Sequence, residues 1–474
     1  MSSRNRCLEI QDAVSLLSQR VSLLAVILEY SFPKTTRGTD YCCSIRIVDP
    51  SHHETGVAVN FFAPIAEKLP HVSAAGDVIH LCNVTVRSHS GEVNLVYNKA
   101  QSSFGLYHGK DGGDFVPYQV SPKYEHASED KIFIDKLRKW LVNFQPNEGT
   151  LVLQPVIPSR NDFRLFSEIK EGDHMNFACK ILHFCEAAKD EWFIYAWDGT
   201  DTPPNIIRSK LEDEMNCPLS LQLESLPLPR DLYCTFPTVG SLLRIAFDRC
   251  IEKSGLHHLL NNVKFKWIKL VSMRLEVHAG LWRAVFTNFT KIRYASAEDN
   301  LILMRKRLSN ERISLKFERN SLGYVPVPSS VTVVPVKYDS VPYVTLMDAL
   351  THEEVTAKFK CVVRVVSALP CQPEMVRSSS GIYRMRLTLE DATTRIHAYV
   401  FGEDGETFFD GHPDTDSLSK KLNRLLGVTE DGANSCKRNP PWVSICLKSY
   451  YLTEEDMWGS RQFRVFDTKV PEEA

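Results

Sequence analysis

The sequence predicts a mainly β chain with peripheral helices, organised as three tandem five-stranded Greek-key barrels. Two observations predict it. A short helix followed by a long apolar strand occurs three times, and each long strand leads to a second strand that ends in an aspartate at a turn. In the first and last of these stretches another strand follows at once, then an excursion, then two more strands. A length of 474 residues exceeds one ordinary core, so two to four domains are expected.

The first unit starts with a helix at 10–14 and a strand at 21–30 that closes near Phe32-Pro33. Its second strand ends in Ile47-Val48-Asp49, its third spans 56–62, its excursion 63–70, and its last strands 77–89 and 93–107. In the second unit the helix is 165–169, the long strand 176–185, and the turn Trp197-Asp198-Gly199-Thr200. A long excursion at 202–229 precedes strands at 240–247, 263–278 and 281–290. The third unit runs from a helix at 346–350 through a strand at 358–368, the turn at Asp391 and a strand at 395–401 to strands at 442–452 and 462–468. Aspartate suits these turns because its side chain caps the amides that follow. The order is that of an oligonucleotide-binding (OB) fold.

Between the units, 109–130 is rich in Gly, Pro and polar residues and leads into a helix with Phe133, Leu137, Trp140, Leu141 and Phe144 at helical spacing. Pro326, Pro328, Pro335 and Pro342 mark 324–343 as an extended spacer. The expected domains are 1–145, the first OB fold with its linker helix, 146–325, the second, and 336–474, a third OB-like fold for protein interaction.

Composition narrows the function. With 56 Lys+Arg against 58 Asp+Glu there is no broad positive field, so nucleic-acid binding needs local patches and stacking. The 13 cysteines are odd in number and form no Cys-x2-Cys pair, which argues for reduced thiols in an intracellular chain rather than a disulfide framework or a zinc ribbon. No secretory signal is visible, and the longest apolar run, 21–28, is about half a membrane span. No nucleophile, zinc-protease or phosphate-loop motif occurs, and the adjacent pairs His52-His53 and His257-His258 diverge rather than converge on a metal. A non-enzyme without cofactor or metal is expected.

Period-2 alternation carries the binding prediction. With Val57, Val59 and Phe61 facing the core, Asn60 and Phe62 face outward, joined by Ser44 and Arg46 on the second strand and Arg87 and His89 on the fourth. Such a face stacks a base, pairs phosphates and reads base edges. The alternative is that Phe62 packs under 63–70. The loop 33–41 adds Lys34, Arg37, Thr39, Asp40 and Tyr41, with Phe32 at its edge. In the second unit Phe193, Tyr195 and Trp197 read as core, whereas Lys264, Lys266 and Lys269 form a basic segment able to meet a backbone. In the third, either Tyr399 points out and Phe401 in, or the reverse.

The run Gly38-Thr39-Asp40-Tyr41-Cys42, then Asn60-Phe61-Phe62, Gly76-Asp77-Val78-Ile79, Trp197-Asp198-Gly199-Thr200 and Val239-Gly240-Ser241-Leu242-Leu243, resembles the protection-of-telomeres family, plant members most. The similarity covers about residues 8–300, and the third unit by architecture. The resemblance implies a nuclear protein of the telomere that binds G-rich telomeric single-stranded DNA, helps regulate telomerase, and recruits telomerase or capping proteins through its C-terminal fold. It also implies that Phe62 is the stacking aromatic, that Arg37, Thr39 and Asp40 belong to the base-reading loop, and that Tyr30 or Phe32 is a first-strand aromatic. Animal members insert a metal-binding domain into the third fold, where this chain has a short loop at 371–382. Leu226-Pro227-Leu228-Pro229 stands where animal members carry a contact aromatic, against DNA binding by the second fold. The rival reading is a telomerase-associated or capping-complex interaction subunit with weak or no DNA binding. Arg305-Lys306-Arg307 is either an import signal or a solvated helix face.

Overall fold

The computed structural model describes the chain except residues 1–6, 90, 111, 127–129, 145–161, 189–190, 209, 212–241, 250, 252–263, 265, 279–280, 297, 318–325, 392–393, 429–436 and 473–474. The expected boundary near 145, His257-His258 and residues 226–229 lie outside the described residues, whereas the boundary expected near 335 falls among described ones. The chain divides into two compact units: Met1–Thr200 with Leu242–Glu276 and Arg283–Leu308, and Asp201–Ser241 with Val277–Trp282 and Ser309–Ala474.

Helix α1 (Ile10–Ser15) leads into β1 (Arg20–Tyr30), β2 (Lys34–Thr35), β3 (Tyr41–Asp49), β4 (His52–Ala63), β5 (Val78–His89), β6 (Glu92–Val96), β7 (Ser103–Tyr107) and β8 (Gln119–Val120). Strand β1 is buried on both faces, one in the barrel and the other, through Leu24, Val26 and Leu28, against Ile134, Leu137 and Leu141; it pairs with β5 along its first part and with β3 along its last, slipping register after Val21 and Ile27. That bend closes the ring β1-β3-β4-β6-β5, in which β4 and β6 run parallel. Gly56 allows the slip in register within β4: its φ is +62°, and a Cβ there would sit 2.7 Å from the Ile47 carbonyl oxygen.

The later strands are β9 (Phe163–Arg164), β10 (His174–Ala188), β11 (Glu191–Trp197), β12 (Leu243–Phe247), β13 (Trp267–His278), β14 (Leu281–Phe286) and β15 (Lys291–Arg293), then β16 (Lys358–Leu369), β17 (Arg384–Glu390), β18 (Arg395–Phe401), β19 (Val443–Tyr451) and β20 (Arg461–Phe466). They close two further rings with the same order, β10-β11-β12-β14-β13 and β16-β17-β18-β20-β19. The third and fifth strands are parallel in both, β12 with β14 and β18 with β20. Among the described residues the chain is therefore three OB barrels. The first two share a sheet, because β15 pairs with both β1 and β13.

One device recurs in all three barrels. The Asp49 carboxylate accepts the Ile10 N–H at 2.7 Å with one oxygen and the Ser51 and His52 amides with the other. Asp198 likewise accepts the Phe166 N–H at 2.8 Å and the Thr200 amide, and Asp391 the Leu346 N–H at 2.7 Å and the Thr394 amide. Turn capping was the sequence expectation. The second oxygen does more: it caps the short helix that opens each unit, and α1 has no side-chain cap of its own.

Three other expectations need correction. Helix α2 (Asp130–Asn143) forms and buries Ile134, Leu137 and Leu141 against Leu24, Val26 and Val78 of the first barrel, while Phe133 faces solvent. Residues 326–343 are no free spacer. They strap the third barrel, with the Ser329 N–H on the Trp442 carbonyl, Val333 bridged to Lys469, and the Tyr338 hydroxyl on Asp467. Arg305, on α3 (Asn300–Phe317), is buried and donates to the Phe163 carbonyl.

Candidate nucleic-acid interface

The outer face of the first barrel holds the predicted alternation. Val57, Val59 and Phe61 are buried, and Phe62 is 40% exposed. The excursion beneath it is filled by Ala66 and Leu69 instead. Phe62 lies opposite Cys42, and Asn60 lies between Ser44 on β3 and Val96 on β6. Arg87 stands opposite Asn94, and His89 opposite Glu92. Phe62, Asn60, Arg87 and His89 thus belong to one continuous surface of adjoining strands, and Arg87 and His89 are exposed.

The loop beside it is folded on itself. The Thr36 N–H and hydroxyl both donate to the Asp40 carbonyl, at 3.0 and 2.6 Å, and the Gly38 N–H donates to the Thr36 hydroxyl. Arg37 and Thr39 remain exposed at the tip, with Tyr41 half-buried at the base opposite Ala63. Asp40 is engaged, since Lys99 approaches its carboxylate at 3.1 Å. A base amine there has to share that acceptor.

Four predicted residues do a different job. Tyr30 and Phe32 are only 3% and 5% exposed. Phe32 packs edge-on against Phe286 and Phe247, with ring centroids at 4.8 and 6.1 Å, so it fastens the first barrel to the second rather than offering a stacking face. Lys34 donates to the Asn288 carbonyl at 2.9 Å. Arg46 donates to the Thr55 carbonyl at 2.9 Å and approaches Glu29 at 3.8 Å.

Glu29 is the electrostatic centre of that junction. Burial alone would raise its pKa, but Arg293, Lys291 and Arg46 outweigh it and hold the carboxyl below its ordinary range.

The sequence reading missed Asn94, Lys99 and Phe289. Phe289 is 67% exposed in the turn after β14, with the Lys34 ammonium 5.5 Å from its ring. Its signal was an aromatic inside the turn Thr287-Asn288-Phe289-Thr290, where polar residues are the rule.

Residues 2–150 match the family model described as telomeric single stranded DNA binding POT1/CDC13, and residues 327–456 match the POT1A-like OB fold domain. The chain is 37% identical to protection of telomeres protein 1b of Arabidopsis thaliana, over 98% of this chain and 97% of that protein. It belongs to the protection-of-telomeres family. Identity to protein 1a of the same plant is 35%, over 98% of each chain. The crystal structure of fission yeast Pot1 with single-stranded DNA aligns at 16% identity, covering 64% of this chain and 93% of that one, with a TM-score of 0.26.

In this protection-of-telomeres chain the second barrel offers less than its sequence promised. Of the three aromatics read as core, Tyr195 and Trp197 are buried and Phe193 is half-buried. Lys269, expected to meet a backbone, is buried and paired with Asp299 at 2.6 Å, leaving Lys266 exposed beside β13. In the third barrel Tyr399 and Phe401 share the outer face, while Ile396, Ala398 and Val400 are buried. Residues two apart in a strand point the same way, so neither of the opposed orientations was available.

Proposed function

We propose that the first barrel binds the G-rich telomeric single strand across the face built by Phe62, Asn60, Arg87 and His89. Arg37 and Thr39, and the Asp40–Lys99 pair, close over the strand from the loop. The exposure of Phe62 on the outer face of the third strand carries this reading, because a large aromatic held open to water by a rigid barrel is a stacking platform. The chemistry is binding alone. At the telomere in the nucleus, the third barrel recruits telomerase or capping proteins and so takes part in telomerase regulation. Leu452, Met457 and Trp458, exposed between β19 and β20, support that surface.

The test is the affinity of wild type and Phe62→Ala for a short G-rich telomeric strand, its C-rich complement and the same sequence in RNA, at two salt concentrations. Loss of stacking on one base, about 1–3 kcal/mol, predicts roughly a 5- to 150-fold weaker complex with the G-strand. Equal, weak and strongly salt-dependent binding to all three would instead favour the interaction-subunit reading.

A further inference from the structure

The outer face of the third barrel holds a cleft of about 700 Å³ lined by Arg384 and Arg386 of β17, Tyr399 and Phe401 of β18, Lys448 and Tyr450 of β19, and Arg464 of β20. Its volume falls in the range of true ligand clefts, roughly 300–1,000 Å³. Four cations line it and no carboxylate does. The nearest acid, Asp404 on α5 (Glu403–Phe409; α4 is Leu346–Leu350), pairs with Lys448 at 2.9 Å and with Arg464. Arg384 and Arg386 have no carboxylate partner among the described residues. Phe401 is 43% exposed, and the guanidiniums of Arg384 and Arg464 lie 5.9 and 5.5 Å from its ring centroid.

By strand order β18 is to the third barrel what β4 is to the first, so Phe401 and Tyr399 stand on the third strand as Phe62 and Asn60 do. One exposed and two half-buried rings among four cations fit a ligand with flat faces and regularly spaced negative charge. A docking peptide strand would need a free sheet edge, and the ring, closed by the Tyr399–Arg464 bridge between β18 and β20, leaves at most a short one. We propose that this cleft is a second single-strand nucleic-acid site, separate from the face around Phe62. Bases stack on Phe401, Tyr399 and Tyr450, and phosphates pair with Arg384 and Arg386. The protein-recruiting surface is the Leu452 to Trp458 loop.

The test uses the full chain and a bromouracil-substituted strand of roughly 40 nucleotides, long enough to span three folds, as DNA and as RNA. Photo-crosslinks on the unaltered cleft are mapped by peptide mass. Crosslinking to Tyr399, Phe401 or Tyr450 is expected, and the nucleic acid that crosslinks names the ligand. In a Phe62→Ala background, adding Phe401→Ala or Arg386→Ala should weaken long-strand binding by a further 5- to 100-fold or so. Either change in an otherwise wild-type chain should leave binding of a short strand by the first barrel unaltered. No crosslink in the cleft, with long-strand affinity unchanged in both variants, would overturn the proposal. Loss of a bound protein or acidic peptide instead, at constant strand affinity, would reassign the cleft to that partner. Neither result touches the Phe62 reading, which the short strand tests alone.

Discussion

The first and third barrels share strand order and an open aromatic on the third strand, yet they arrange their cations in opposite ways. In the first, Arg46 turns to Glu29 and the Thr55 carbonyl, and Lys34 reaches Asn288 of the second barrel. The outer face keeps Arg87, with Arg37 at the loop tip. In the third, Arg364 and Arg395 are buried and held by Glu390 at 3.1 and 2.6 Å, while Arg384, Arg386, Lys448 and Arg464 all reach the open cleft. Topology decides where a ligand face lies. In the first barrel the junction with the second takes two of the cations, Arg46 and Lys34, that the sequence placed on that face.

The strongest way to break this contrast is at the two carboxylates that hold those cations, buried Glu29 and half-buried Glu390. Glu29→Ala leaves Arg293, Lys291 and Arg46 without their shared acceptor, and about 3–5 kcal/mol of stability should go. Glu390→Ala does the same to Arg364 and Arg395. Denaturant unfolding read by hydrogen exchange in each barrel should place the first loss in the first two barrels and the second in the third. An equal response everywhere would abolish the contrast. Acid sharpens it. Because the folded Glu29 pKa is depressed, its contribution is complete above the unfolded value of about 4.3 and fades as pH falls through the folded one. Glu29→Gln should therefore flatten the acid limb of the melting temperature of the first two barrels, measured between neutral pH and pH of about 3. An unchanged limb would remove Glu29 from the account.

Next in size are the shared clasps. Asp49→Ala and Asp391→Ala should each cost about 1–2 kcal/mol, a cap's ordinary contribution, and speed amide exchange at Ile10 and Leu346 respectively. A loss confined to the turns at Ser51 and Thr394 would show that the helix bond adds nothing. The smallest effect expected is in the stability of Phe62→Ala and Phe401→Ala. Both rings are open to water, so each change should stay within about 0.5 kcal/mol by thermal melting. A larger loss would make either ring structural.

What the sequence disclosed follows from the range of the interactions involved. Alternation is local, so Phe62 and Asn60 could be read as outward from Val57, Val59 and Phe61 alone. The same rule, applied to Tyr399 and Phe401, places both on one face and exposes the third-barrel cleft. Tyr30, Phe32 and Lys34 failed for a different reason. Phe247, Phe286 and Asn288 lie more than 200 positions away, and local patterning says nothing about such partners. Lys269 was misread similarly, since Asp299, 30 residues on, neutralises it. The proline-rich strap looked like a spacer because its partners Trp442 and Lys469 are also far along the chain from Ser329 and Val333.

The aspartate clasp also bears on the order in which the chain is made. Each joins the opening helix to the end of the second strand, across 39, 32 and 45 residues, before any residue of that barrel's third strand is required. A nascent barrel can thus fix its first hairpin while its closing strands are still unsynthesised. For a chain that repeats one topology three times, the clasp ties each opening helix to the hairpin of its own barrel.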